Sequence, residues 1–429
     1  MLSIIAGTTQ DSLHQGLDFS PAKSTANYIL DRKEVTTYPQ SGGVFSNQGI
    51  RVLRYSLGDA SNASFLCGET VRLAFSIRNN GSTPLQPICA SPSSLFDRVR
   101  VLFGGIEVED LTYHSRFAQQ EELLLSAEQR LNNLGEQWGA TSDSTVANLT
   151  PLAIPAGEER RVMCSFHIAA FRQPKRWWLA ACSIVLELEL NPDSDYCFAG
   201  TGADWSITKP VIHCSVFQVD PGMTSSIAAY LNSGKFLTIL CPSSTYNIKA
   251  AITNSSGFQL PIQRGFSKLA CLQFSIFMSR AGKKECVTFD HPLAGATPNS
   301  TNDRFGYHVS LGSSRWPTVD TEGCAEQWMR TRMALSLLDR NSGQEISITP
   351  SAFKSESAIF MLNLSKVLED EKIGHSGLST LNSSNLVLHF KNMPDAVTVE
   401  GVEQPRLLFV TCRYDSTVEI GKEGCRAYS

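Results

Sequence analysis

The 429-residue sequence has no run of lysine or arginine, and its formal net charge is -4. It therefore lacks the electrostatic footprint of a protein that wraps nucleic acid, and no specific nucleic-acid partner is expected. No uninterrupted apolar stretch reaches bilayer-spanning length. The opening residues, MLSIIAGTTQDSLHQ, have neither the basic start nor the sustained apolar core of a signal peptide. The expectation is a soluble protein with no membrane span, made in the interior of a cell and not secreted. No Cys-x-x-Cys pair occurs among the twelve cysteines, and Cys164 and Cys271 sit inside apolar runs. They read as reduced, small buried residues. Without a secretory signal, the sequons at Asn148 and Asn254 are by-products of an Asn/Ser/Thr-rich composition.

Charge is also scarce, at 18% of residues against 42% hydrophobic, a balance that suits a β-rich globular protein with many turns. The length allows two domains, each able to bury its own core. Residues 1–48 are polar and without sustained period, and are expected to form an extended N-terminal arm that is dispensable for folding. From residue 49 the apolar positions alternate. Val71, Leu73, Phe75 and Ile77 interleave with Arg72, Ala74, Ser76 and Arg78, and Ile184, Leu186, Leu188 and Leu190 repeat the pattern. Tyr113, Phe117, Leu124, Ala127, Leu131 and Leu134 instead recur at helical spacing, predicting one helix of about five turns ended by Gly135.

The strand-like run Val211 to Val219 stops at Asp220, Pro221 and Gly222, which places a domain boundary between residues 221 and 222. Strands are predicted at Phe236 to Leu240, Leu272 to Met278, Leu386 to Phe390 and Leu407 to Cys412. One further helix is predicted to carry Ala325, Trp328, Met329, Met333 and Leu337 on a shared face. The halves repeat in element order and not in residues.

At residues 96–117 the run FDRVRVLFGGIEVEDLTYHSRF resembles the first domain of major capsid proteins from Polinton-like viruses and their virophage relatives. Further segments agree in order: QRGFSKLACLQFSIF from Gln263, SSRWPTVDTEGCAEQW from Ser313, SGLST from Ser376 and LLFVTCRYDSTVEI from Leu407. The resemblance covers residues 49 to 425. It implies an all-β fold of two tandem eight-stranded jelly-roll barrels, a double jelly roll with short helical insertions, spanning 49–221 and 222–429. It also implies a homotrimer with pseudo-hexagonal outline, tiling with neighbouring capsomers into the icosahedral shell of a double-stranded DNA virus, with penton and minor capsid proteins as further partners. The location so implied is the virion.

No residue is assigned a catalytic, cofactor-binding or metal-binding role. Ser20 and Lys23 match a Ser-x-x-Lys pattern, but the other motifs of that enzyme class are missing. Gly374, His375, Ser376 and Gly377 fall short of a nucleophile elbow, because Leu378 holds the last position. His213 beside Cys214, and His389, belong to no four-ligand zinc set. Gly104 and Gly105 read as a turn between strands and not as a phosphate loop. Trp177 and Trp178 after Lys175 and Arg176 fit a barrel rim, with one indole inward and the other against a loop or neighbouring subunit. Glu369, Asp370 and Glu371 read as a solvated turn. The alternatives to a shell protein are a carbohydrate-binding β-sandwich, such as a viral spike or lectin-like module, and a cupin-type enzyme whose His/Glu cluster is not visible in the sequence.

Overall fold

The computed structural model describes residues 29–429 except 59–63, 90, 140–150, 200–201, 253–256, 279–290, 293–304, 339–345, 356, 366–376, 382–385, 394–397, 400–401 and 404–405. In chain order the first half carries β1 (Ile29–Thr37), β2 (Val44–Ser46), β3 (Val52–Leu57), β4 (Ser64–Asn79), β5 (Gln86–Pro87), β6 (Phe96–Phe103) and β7 (Ile106–Leu111). Helices α1 (His114–Leu124) and α2 (Ala127–Gln137) come next, then β8 (Glu159–Cys164), α3 (Ala169–Arg172), β9 (Trp177–Trp178), β10 (Ile184–Leu190), β11 (Phe198–Ala199) and β12 (Trp205–Val219).

After α4 (Pro221–Asn232), the second half carries β13 (Leu237–Ile252), β14 (Gly257–Ile262), β15 (Leu269–Met278), β16 (Gly306–Leu311) and β17 (Ser314–Glu322). There follow α5 (Cys324–Leu338), α6 (Pro350–Ser355), β18 (Phe360–Asn363), β19 (Leu386–Lys391), β20 (Thr398–Val399), β21 (Val402–Glu403), β22 (Arg406–Gly421) and β23 (Gly424–Tyr428).

The sheets repeat one plan. In the first half they run β1-β12-β4-β8 and β3-β10-β6-β7; in the second, β13-β22-β15-β18 and β14-β19-β16-β17. Numbered along each half, both sets read first-eighth-third-sixth and second-seventh-fourth-fifth, which is a jelly roll. All ladders are antiparallel, and β2, β9 and β23 are additions at the margins. The chain is thus a double jelly roll of facing sheets. Each half carries two helices between the fifth and sixth strands of the plan, and the first half adds the short α3 between the sixth and seventh.

Alternation explains the packing. In β10, Ile184, Leu186, Leu188 and Leu190 are fully buried in the first core. Glu187 between them points outward, where it accepts from Arg100 Nε at 2.8 Å and lies 3.3 Å from Arg54 Nε. The β6–β7 turn is made by Gly104 and Gly105, both at positive φ (58° and 84°), with Phe103 paired to Ile106. This backbone twist suits a two-residue hairpin and favours glycine. At α4, Asp220 caps the helix by accepting from Gly222 N at 2.7 Å, and proline occupies the first turn.

Three expectations need correction. Residues 29–48 are not a free arm, because β1 pairs with β12 from Ile29↔Val219 to Thr37↔Ile212, and Phe45 is buried in the first core. Without β1 the first roll has seven strands of its plan. Its signal was hidden because an edge strand exposed on most positions needs no apolar alternation. Residues 1–28 lie outside the described residues. The five-turn helix is two helices, with the C-cap Leu125 extended and Ser126 between them; Gly135 lies inside α2.

The third correction concerns α5. It buries Gln327, Thr331, Ala334 and Leu335 and exposes Ala325, Met329 and Met333 of the predicted face, while Trp328 of that face packs on the second core against Phe353. The polar pair is inside because it satisfies backbone groups. Gln327 Nε2 donates to Phe305 O at 2.9 Å, and Thr331 Oγ1 donates to Ile359 O at 3.0 Å.

Candidate functional site

The residues weighed for chemistry are dispersed. Ser20, Lys23, His375, Ser376 and Glu369 to Glu371 lie outside the described residues. Gly377 is backbone against backbone: a Cβ there would meet Lys268 C at 2.4 Å, where Leu378 bridges Leu269. His213 Nδ1 lies 3.2 Å from Thr36 Oγ1 on an open sheet face, while Cys214 points into the core. Both indoles of the Trp177–Trp178 pair are buried. Trp177 Nε1 donates to Ala170 O at 2.9 Å, and Trp178 stacks on Phe65 at 6.1 Å, so neither is left for a neighbouring subunit. Among the described residues no three His, Cys, Asp or Glu side chains are grouped to hold a metal ion, and no helix is long and apolar enough to cross a membrane.

His389 belongs to a small charged cluster on the outer face of the β14-β19-β16-β17 sheet. Its ring stacks on His308 at 4.5 Å, and its Nε2 lies 2.7 Å from Ser310 Oγ. Asp320 lies 2.6 Å from His308 Nδ1 and also contacts Arg315 and Lys391. Burial alone would raise the Asp320 carboxyl, but Lys391 and Arg315 hold it below its ordinary range. Both histidines are pushed down, first by burial and then by Arg315. The cluster ties three strands together around one carboxylate, Asp320, held by the cations Arg315 and Lys391.

The largest concentration of buried polar chemistry lies where the two jelly rolls meet. Helix α1 and its preceding residues lie on the outer face of β13-β22-β15. Gln120 Nε2 donates to Ser275 Oγ at 2.5 Å and accepts, through Oε1, from Gln273 Nε2 at 2.8 Å. Arg413 donates to Gln273 Oε1 at 2.7 Å and pairs with Glu121. Asn247 Nδ2 donates to Thr112 O at 2.8 Å while its Oδ1 accepts from Thr411 Oγ1 at 2.8 Å. Below α1, Ser347 N donates to Leu125 O at 2.8 Å. Apolar contact completes the seam: Tyr113 meets Phe409 edge-on at 6.1 Å, and Leu124 packs in the second core.

At the far end of the seam, Ile239, Cys241, Val418, Ile420 and Cys425 of the second half join the core of the first. The thiols of Cys182 and Cys425 hydrogen-bond there, and this bond, ahead of burial, raises the Cys182 thiol.

Titratable groups in the seam and in the first roll beside it are strongly perturbed. Burial pushes the Glu109 carboxyl up to about 7, against donation from the backbone of Ala170, Thr245 and Ala169. Burial lowers His114 to about 4 and holds His167 well below its usual range. Such shifts often mark catalytic groups, but no described cavity opens onto Glu109 or either histidine. The seam pairs many of the polar groups that it takes out of water where the two jelly rolls meet. Sequence reading missed it because Gln273, Thr411 and Asn247 are outward positions of their strands, indistinguishable in pattern from wet ones.

No family model and no curated protein matches the chain. Solved structures do. A chain of the PBCV-1 virus capsid superposes with TM-score 0.59 at 10% identity, covering 96% of this chain and 99% of that one. A chain of the Sputnik virophage gives 0.59 at 10% identity over 98% and 93%. The Faustovirus major capsid protein gives 0.54 at 8% identity over 91% and 90%. At these identities the likeness is one of fold, and it spans both jelly rolls and the joint between them.

Proposed function

We propose that this chain is the major capsid protein of a double-stranded DNA virus, a non-enzymatic shell protein. Its trimers form pseudo-hexagonal capsomers that tile an icosahedral shell. The observation that carries this reading is the duplicated plan: two jelly rolls of the same strand order, held in one orientation by a buried polar seam, match chains from virus capsids along nearly their full length. Two like units per chain make a threefold assembly present six similar towers, an outline that packs a curved surface with few kinds of contact. Neighbouring capsomers, penton proteins and minor capsid proteins are then the partners, the virion is the location, and surface complementarity replaces a catalytic site.

Purified protein tests this by light scattering and electron microscopy. The expected result is a trimer with a six-cornered projection. A monodisperse monomer at every concentration and salt condition overturns it, and a monomer that binds glycans moves the reading to a lectin-like module.

A further inference from the structure

At the far end of the seam, two thiols from different jelly rolls stand against each other. Cys182 lies just before β10, a strand paired on both sides in its sheet. Cys425 belongs to β23, whose backbone pairs with β22 of the second roll while its side chain joins the core of the first. The β6–β7 turn brings them together. Gly104 N donates to Ser183 O at 2.8 Å, and a Cβ on Gly104 would lie 3.7 Å from Cys425 Sγ. Both cysteines are buried and unbridged in this structure, and their thiols hydrogen-bond.

We propose that Cys182 and Cys425 are an oxidation site, at which an anionic low-molecular-weight disulfide of the glutathione type converts the two thiols into a disulfide that staples the last strand of the second roll to the first. This goes beyond the shell-protein reading and does not depend on it.

Two observations fit the pair for the reaction. The first is access. Cys425 lines a hollow of about 450 Å³ together with Lys235, Lys422, Arg426 and Glu423, and Cys182 does not line it. Three cations against one carboxylate favour an oxidant that carries carboxylates. The second is the direction of the hydrogen bond. Cys182 donates to Cys425, which holds the Cys425 thiol below its ordinary range and marks it as the sulfur that ionises first. Burial instead pushes the thiols of Cys89 and Cys271 up to about 12, as in inert structural cysteines.

The Cys425 thiolate attacks one sulfur of the small disulfide, forming a mixed disulfide and expelling one thiolate. The Cys182 thiolate then attacks Cys425 Sγ, forming the bond between the rolls and expelling the second. The pair loses two electrons and two protons, and the small disulfide takes up both as two thiols. Because residues 182 and 425 are far apart in sequence, the bond closes a long loop and removes conformations from the unfolded chain. A chain held reduced gains this staple on meeting an oxidising medium.

The test uses the full-length protein, reduced and then treated with oxidised glutathione at mildly alkaline pH. After denaturation and alkylation, peptide mapping should find Cys182 joined to Cys425. The treated protein should melt several degrees above the reduced one, a gain that dithiothreitol reverses. Cys182→Ser should instead retain glutathione on Cys425, since no second thiol remains to expel it, and Cys425→Ser should take up none at position 182. Both cysteines alkylated in the treated parent, or either joined to a different cysteine, would overturn the proposal. The parent's peptide map decides the matter should either variant misfold.

Discussion

The two jelly rolls share a strand order but not an environment, and their outward sheet faces show the difference most clearly. In the second roll, Gln273, Thr411, Arg413 and Asn247 lie beneath the α1 region; Gln273, Arg413 and Asn247 pair across the seam with Gln120, Glu121 and Thr112, and Thr411 donates to Asn247. In the first, Arg72, His213 and Arg32 stand on a face left open among the described residues, with Arg32 Nη2 bonded to Ser215 Oγ at 3.1 Å. The same kind of residue is structural in one roll and free for partners in the other. Burial, and not residue type, decides which.

The strongest way to break the comparison is to remove the strand that completes it. Deleting residues 2–45 takes away β1 and the buried Phe45. Loss of one such aromatic alone costs about 3–5 kcal/mol, and the deletion also leaves β12 with an unpaired edge. Hydrogen exchange should show protection lost in β3, β4 and β12 while β14, β15 and β19 keep theirs. Unchanged protection in the first roll would return β1 to the status of a dispensable arm.

A smaller effect sharpens the contrast between covered and open faces. Arg413→Ala leaves Glu121 in the seam without the guanidinium it pairs with, and the side chains of the pair are only 10% and 11% exposed. Breaking a buried pair from one side costs about 3–5 kcal/mol. Arg72→Ala, on the open face, removes bonds from its guanidinium to the carbonyls of Glu69 and Val71 and should cost no more than ~1 kcal/mol. Denaturant unfolding of the two variants checks this. Equal losses would mean that the α1 seam is not what fixes the second roll's outer face.

Much of the architecture was legible in the sequence because strands half-buried in a sandwich write their environment as alternation. Val71 to Ile77 and Ile184 to Leu190 are such cases, as is the glycine pair at 104–105. Three features were not legible, each for a physical reason. β1 carries too few buried side chains to show a period. α5 buries Gln327 and Thr331 because they bond to backbone carbonyls, so ranking by apolarity found Trp328, which packs on the core, but also selected the exposed Met329 and Met333. The seam is built from polar residues whose burial depends on the other jelly roll, about 150 residues away in sequence for Gln120 and Gln273; no local pattern carries that information.

The finest test of the difference between joint and surface is titration of the joint. Glu109 sits in the seam with its carboxyl raised to about 7, whereas the unfolded chain ionises near the ordinary value of 4.5. Between these pH values the unfolded state gives up a proton that the folded state keeps, so Glu109 subtracts stability as pH rises from 4.5 to 7, and no more beyond. The size is on the order of 3 kcal/mol. His114 acts oppositely: burial holds it near 4 against an ordinary 6.5, so stability is lost as pH falls from 6.5 towards 4. Glu122, raised likewise to about 7, and His167, held low by burial, add slopes of both signs, so the difference between parent and variant is what isolates Glu109. Glu109→Gln removes its slope. The variant should gain on the parent steadily from pH 4.5 to 7. Chemical denaturation at intervals of half a pH unit would show this. Parallel profiles for parent and variant would place the Glu109 carboxyl in contact with water, and the seam around it would then be no more sealed than the open face of the first roll.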